Sequence, residues 1–154
     1  MNALSVVAAA FALSSPAFAP GQTIPVRYTC DGANGSPPLR WTAPPRRTTS
    51  LALLMEDPDA PVGTFTHWLA WNIKPTVRRL AAGARPPRQG RTSAGTVGYT
   101  GPCPPPGPAH HYVFKLYALR TPLRLRAGAS RAMFDAALKG RVLRVARLVG
   151  RYGR

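Results

Sequence analysis

Eighteen prolines in 154 residues constrain this chain more than any other feature. A proline inside a helix removes a hydrogen bond and clashes with the preceding turn. In a central strand it removes a ladder donor. A helical bundle is thereby excluded, and strands have to be short or joined by rigid, irregular loops. Hydrophobic residues make up 45% of the chain, too many for a disordered tail. The length suits one domain around one core. No apolar stretch approaches the roughly 20 residues that cross a bilayer as a helix. The expectation is a mainly β, loop-rich domain.

Local patterns fill in that frame. Residues 24–30 predict a strand running into the turn cluster Asp31-Gly32-Ala33-Asn34-Gly35-Ser36-Pro37-Pro38. Leu39 to Trp41 predicts a short strand. Ser50 to Met55 is an almost unbroken apolar run of strand length, which predicts burial on both faces. Over Thr64 to Ile73, period-two alternation puts His67, Leu69, Trp71 and Ile73 on one face. Residues 74–98 are polar, basic and rich in Gly and Pro, and predict a long loop. His110 to Leu119 is the clearest strand, with His110, Tyr112, Phe114 and Leu116 on one face. One helix is expected over 131–139, capped by Ser130 and stopped by Gly140, with Met133, Ala136, Ala137 and Leu138 as its apolar face. A final strand is expected over 142–149. Several strands with one late helix indicate an antiparallel β-sandwich or a related β fold.

Residues 1–19 read as a signal peptide, with a mostly Ala, Val, Leu and Phe stretch and Ala17-Phe18-Ala19 as a small-x-small cleavage site. This leaves a single domain over 20–154 and predicts a periplasmic or secreted protein. Two details disagree: the n-region has no Lys or Arg, and Pro20 would be the first mature residue. The alternative is an N-terminal apolar strand packed on the domain, and then a cytoplasmic chain. Cys30 and Cys103 fit an exported protein with one disulfide, or else a pair of buried thiols.

The chain carries 21 basic residues against 5 acidic ones, a formal charge of +16. Such a surface attracts polyanions in general. Only Lys74, Lys115 and Lys139 are lysines, and the abundant Arg, Ala, Pro and Gly match a GC-rich coding bias. The basic residues are scattered, without runs or aromatic interleaving, which argues against nucleic acid as the partner.

Chemistry concentrates in two places. Asp57-Pro58-Asp59-Ala60-Pro61 holds two of the five acids, and flanking prolines stiffen it. In extended chain the two carboxylates point the same way, with His67 and Trp68 close behind. The second place runs from Tyr99 through Gly101-Pro102-Cys103-Pro104-Pro105 into His110-His111-Tyr112. Its glycines uncover backbone N–H groups and its prolines hold the loop rigid, as the rim of a small anion pocket requires.

Cys30-Asp31-Gly32-x-Asn34-x-Ser36-Pro37, Asp57-Pro58-Asp59-Ala60-Pro61, His67-Trp68 with Asn72-Ile73, and Gly101-Pro102-Cys103-Pro104-Pro105 with His110-x-Tyr112 follow one another in order. Together they resemble the phosphatidylethanolamine-binding protein family, in its bacterial Raf-kinase-inhibitor-like branch. The closing stretch from Gly140 to Tyr152 is similar too. The resemblance implies an antiparallel β-sandwich whose pocket takes phosphate-like anions and phospholipid headgroups. It assigns the pocket to Asp57, Asp59, His67, Pro105, His110 and Tyr112. It implies no cofactor, and it is compatible with a homodimer and with inhibition of a kinase or protease partner. The chain departs from the family pattern between Asn72 and Tyr99, and at Arg141, where that branch usually has His.

A non-catalytic binding protein is therefore expected. For a zwitterion such as phosphoethanolamine, N–H donors and an imidazole suit the phosphate and a carboxylate suits the ammonium. Two other classes stand beside it. A metal-dependent hydrolase could use the Asp/His cluster, although no H-E-x-x-H or G-x-S-x-G setting is present. A basic polyanion-binding protein would show affinity that collapses with salt.

Overall fold

The computed structural model describes residues 9–154, and the first part of the expected leader lies outside them. Two antiparallel sheets make up the fold. A three-stranded sheet has the order β1-β2-β5, formed by Leu13–Ser14, Leu39–Trp41 and Arg79–Leu80. A four-stranded sheet has the order β4-β3-β6-β7, formed by Phe65–Ile73, Ser50–Asp57, His110–Leu119 and Val142–Tyr152. Among the described residues the single α-helix, α1, spans Arg131–Leu138. The fold is mainly β with one short late helix, as the prolines require.

The larger core lies between the sheets. Leu13, Leu39 and Trp41 pack with Leu53, Met55, Trp68, Phe114, Leu116 and Leu148. A second core covers the other face of the large sheet, where Ala52, Leu54, Leu69 and Trp71 meet Phe134 and Leu138 of α1. β3 is therefore buried on both sides, and its unbroken apolar run fits that position. Two acids, Glu56 and Asp57, end this largely apolar strand, and Glu56 is paired on its own terms. Burial pushes its carboxyl pKa up, but hydrogen bonds from Lys115 and Arg131 outweigh this and hold it below the usual value.

Three local expectations are corrected. Residues 24–30 do not form a strand: Val26–Tyr28 is a 3-10 turn, closed by the Tyr28 N–H on the Pro25 carbonyl at 3.0 Å. Only Thr23 bridges to β7, at Arg151. On α1 the buried stripe is Phe134 and Leu138, one turn apart, whereas Met133 is 54% exposed. On β4 the simple alternation fails because the pairing with β3 slips twice, between Leu51 and Leu53 and between Met55 and Glu56. Leu69 and Trp71 thus face α1, while Trp68, Ala70 and Ile73 face the other sheet.

The N-terminal segment makes contacts of its own with both sheets. Within the segment expected to be a cleaved leader, Phe11, Leu13 and Phe18 are buried in the main core, and β1 pairs with β2. Phe18 stacks at 6.1 Å on Phe114 and lies over Gly150, where a side chain would collide with it and with Ile24. Residues 21–24 then run along the edge of β7, exchanging backbone hydrogen bonds with Val149 and Arg151. That end of the β7 edge is thereby closed to pairing with other chains. Residues 11–19 thus pack on the domain, the arrangement that the alternative reading of this segment describes.

Candidate functional site

Asp57 ends β3, and its backbone pairs with Phe65 at the start of β4. That corner brings His67, across β3, close to β6, which contributes His110 and Tyr112. The slip in register at this end of β4 falls at His67, and it lies with Trp68 on the side of the main core. The fourth wall is the 99–105 loop. Asp57, Phe65, His67, Thr100, Pro105, His110 and Tyr112 together surround a cavity of about 280 Å³.

The loop is held from several sides. The Gly101 N–H donates to Asn34 Oδ1 at 2.9 Å, and the Cys30 N–H donates to the Pro102 carbonyl at 3.1 Å. Cys30 and Cys103 are bonded, with their Cα atoms 5.4 Å apart. Only glycine fits at 101, because a side chain there would run into Asn34 and the Tyr28 carbonyl. The Asp-Gly-x-Asn cluster of the sequence is thus a buttress for the loop. It does not line the cavity itself.

Each polar group has a defined setting. His110 Nδ1 donates to Asp57 Oδ2 at 2.7 Å, and Asp57 is 3% exposed. The other Asp57 oxygen accepts the Asp59 N–H at 2.8 Å. His67 Nδ1 lies 2.6 Å from the Thr100 carbonyl, which can only accept, so that nitrogen carries the hydrogen and leaves Nε2 free. Burial holds the His67 imidazole below its usual pKa, against the pull of the Thr100 carbonyl and Asp57. Tyr112 is fully buried, its ring edge-on to His67 at 5.2 Å, and its hydroxyl has no hydrogen-bond partner. Burial, then the charge of the nearby Asp57 carboxylate and a side-chain interaction with it, push that hydroxyl well above the usual tyrosine range. It therefore stays protonated, beside Asp57 but without an acceptor at full hydrogen-bond geometry.

Of the six residues singled out from the sequence, five meet at this cavity: Asp57, His67, Pro105, His110 and Tyr112. Asp59 does not. The chain turns after Asp57, so the two carboxylates diverge. Asp59 accepts from the His111 N–H at 2.8 Å and from His111 Nδ1 at 2.7 Å, with its side chain 42% exposed. The backbone hydrogen bond comes first among the causes that hold its pKa below the usual carboxylate value. Phe65 and Thr100 were not singled out. Thr100 lies between Tyr99 and Gly101 in a stretch marked for its glycines and prolines, so its carbonyl carried no side-chain signal. Among the described residues, no group of three or more His, Cys, Asp or Glu is placed to hold a metal ion.

A two-sheet fold with a His/Asp/Tyr cavity behind a proline-rich loop defines a class of small-ligand-binding β proteins. The phosphatidylethanolamine-binding protein model matches residues 14–153, and the chain belongs to that family. The match begins inside the segment expected to be a leader. A relative from Methanothermobacter thermautotrophicus, named only UPF0098 protein, is 48% identical over 149 residues, covering 92% of this chain and 98% of its own. Two crystal structures share the fold. CT736 of Chlamydia trachomatis, described as a homolog of the family, has a TM-score of 0.90 at 39% identity, covering 94% of this chain and 98% of that one. Escherichia coli YbcL, described as a member of the mammalian family, has a TM-score of 0.89 at 32% identity, covering 95% and 99%.

Proposed function

We propose that the cavity at Asp57, His67, His110 and Tyr112 binds phosphate-like anions without reacting with them, and that a phosphoethanolamine headgroup is its best-fitting ligand. The observation that carries this reading is the Tyr112 hydroxyl, buried at the cavity wall with no partner. An orphaned buried donor costs stability, on the order of 1–3 kcal/mol, unless a ligand satisfies it. An anionic oxygen would do so, and His67 Nε2 would add a second donor when the ring is protonated. The Asp57 carboxylate would face the ammonium, while Phe65 and the prolines supply apolar wall. The related proteins named above carry no enzymatic description, which supports a binding role over a hydrolytic one.

We also place the protein in an oxidising compartment, periplasmic or extracellular. The Cys30–Cys103 bridge supports this, since such bonds persist mainly outside the reducing cytosol. Native mass spectrometry of the full chain with phosphoethanolamine tests the binding role. A one-to-one adduct that weakens in Tyr112→Phe is expected. No adduct, or an equal one in both proteins, overturns it.

A further inference from the structure

A second cavity, of about 480 Å³, lies behind the loop that walls the first. Gly98 and Tyr99 line it, whereas the next two residues, Thr100 and Gly101, line the first cavity. It contains no Asp, Glu or His, so its chemistry is separate. Its polar groups are donors held in place by bonds made through their other ends.

Gln89 Oε1 accepts the Trp68 indole N–H at 2.7 Å, which turns the two Nε2 hydrogens away from Trp68. Asn34 Oδ1 accepts the Gly101 N–H, which frees Asn34 Nδ2 in the same manner. Ser36 is 2% exposed and its hydroxyl has no partner, although the residue lines the cavity. Arg85 is exposed at the edge and makes no ion pair among the described residues. Tyr99 spends its hydroxyl on the Tyr28 carbonyl at 2.7 Å and so offers only its ring.

Two amide donors, a buried hydroxyl and one unpaired guanidinium, with no acid among the lining residues, select a ligand rich in acceptors and negatively charged. The space exceeds what an inorganic ion fills, and the Tyr99 ring suits the C–H face of a compact ring. We propose that this cavity is a second binding site, for a small polyhydroxylated carboxylate of the sugar-acid kind. Arg85 takes the carboxylate in a two-point contact. Ser36, Asn34 and Gln89 take the hydroxyl groups.

Glucuronate titrated into the isotope-labelled full chain, followed by backbone amide NMR shifts, tests the proposal, with glucose as the uncharged control. Saturable shifts at Ser36, Gly83, Gly98 and Tyr99 are expected below about 10 mM, and glucose should bind about tenfold more weakly. Arg85→Gln should weaken binding about tenfold, in line with loss of a charge-assisted pair. Ser36→Ala should weaken it several-fold without lowering the melting temperature, because it deletes an unsatisfied buried group. Tyr112→Phe should leave it unchanged. The proposal is overturned by shifts that do not saturate, by binding that survives both Arg85→Gln and Ser36→Ala, or by binding that Tyr112→Phe abolishes.

Discussion

His67 and Thr100 are joined at two points. The Thr100 N–H donates to the His67 carbonyl at 2.9 Å, and His67 Nδ1 donates to the Thr100 carbonyl at 2.6 Å. One contact docks the 99–105 loop on β4. The other fixes which imidazole nitrogen faces away from the loop. The ring that could meet a ligand is therefore oriented by the same loop that closes the cavity around it.

A pH dependence follows from that burial. The folded protein holds the His67 pKa below its ordinary value of about 6.5. The unfolded chain then binds the proton more readily, so the stability from neutral His67 is present above pH 6.5 or so. It declines as pH falls toward the lowered folded value. His67→Asn can keep a side-chain N–H for the Thr100 carbonyl and cannot titrate. Thermal melts between about pH 7 and 5 should show a smaller loss of melting temperature in His67→Asn than in the wild type. Equal losses would mean that His67 is not the group responsible.

The two acids of the Asp-Pro-Asp motif should behave differently. Asp59 is half-exposed and bound to His111, so Asp59→Asn should change phosphoethanolamine affinity by less than about twofold, as expected for an exposed pair. Asp57 is buried against His110, and Asp57→Asn should weaken binding about tenfold or more and lower stability. Calorimetry on both variants checks this. A larger loss in Asp59→Asn would reverse the assignment.

The Cys30–Cys103 bond closes a long segment, with a sequence separation of 73. Chain-entropy reasoning puts its contribution at roughly 4 kcal/mol as an upper figure. The double Cys30→Ala, Cys103→Ala variant should lose about 2–4 kcal/mol in denaturant unfolding. Because Cys103 also lines the cavity, the variant should bind phosphoethanolamine more weakly as the loop loosens. Stability unchanged within error would remove the bridge from the account.

Phe18 tests the N-terminal packing. It is buried against Phe114, Ile24 and Gly150. Phe18→Ala should cost about 3 kcal/mol, the usual range for a buried aromatic. A chain beginning at Pro20 should be destabilised further, because it also lacks β1. A chain from Pro20 as stable as the full chain would favour the leader reading.

Much of this fold was legible because the relevant signals were local. β3 announces itself by an unbroken apolar run and β6 by clean alternation, and Ser130 does cap α1, accepting from the Met133 N–H. The misses share a cause. The register slips on β4, the 3-10 turn at Val26–Tyr28 and the divergence of Asp59 from Asp57 are set by contacts with distant segments. Ala17-Phe18-Ala19 has the composition of a cleavage site, yet Phe18 is fixed by Gly150, more than a hundred residues away. Within the cavity, side-chain chemistry pointed to Asp57, His67, His110 and Tyr112. Thr100 contributes only a carbonyl, which every residue has.

The central claim is that the unpartnered Tyr112 hydroxyl and His67 receive an anionic headgroup. Calorimetric titration of wild type and Tyr112→Phe with glycerophosphoethanolamine, at about pH 5 and about pH 8, tests it most directly. A phosphodiester keeps one charge across that range, so the pH effect belongs to the protein. The account predicts one-site binding that is tighter at the lower pH, because an anion held at His67 Nε2 favours the protonated ring. It also predicts binding about five- to tenfold weaker in Tyr112→Phe, equivalent to a lost hydrogen bond of roughly 1–1.5 kcal/mol, with no fall in melting temperature. Binding absent at millimolar ligand, or identical in the two proteins, would contradict it.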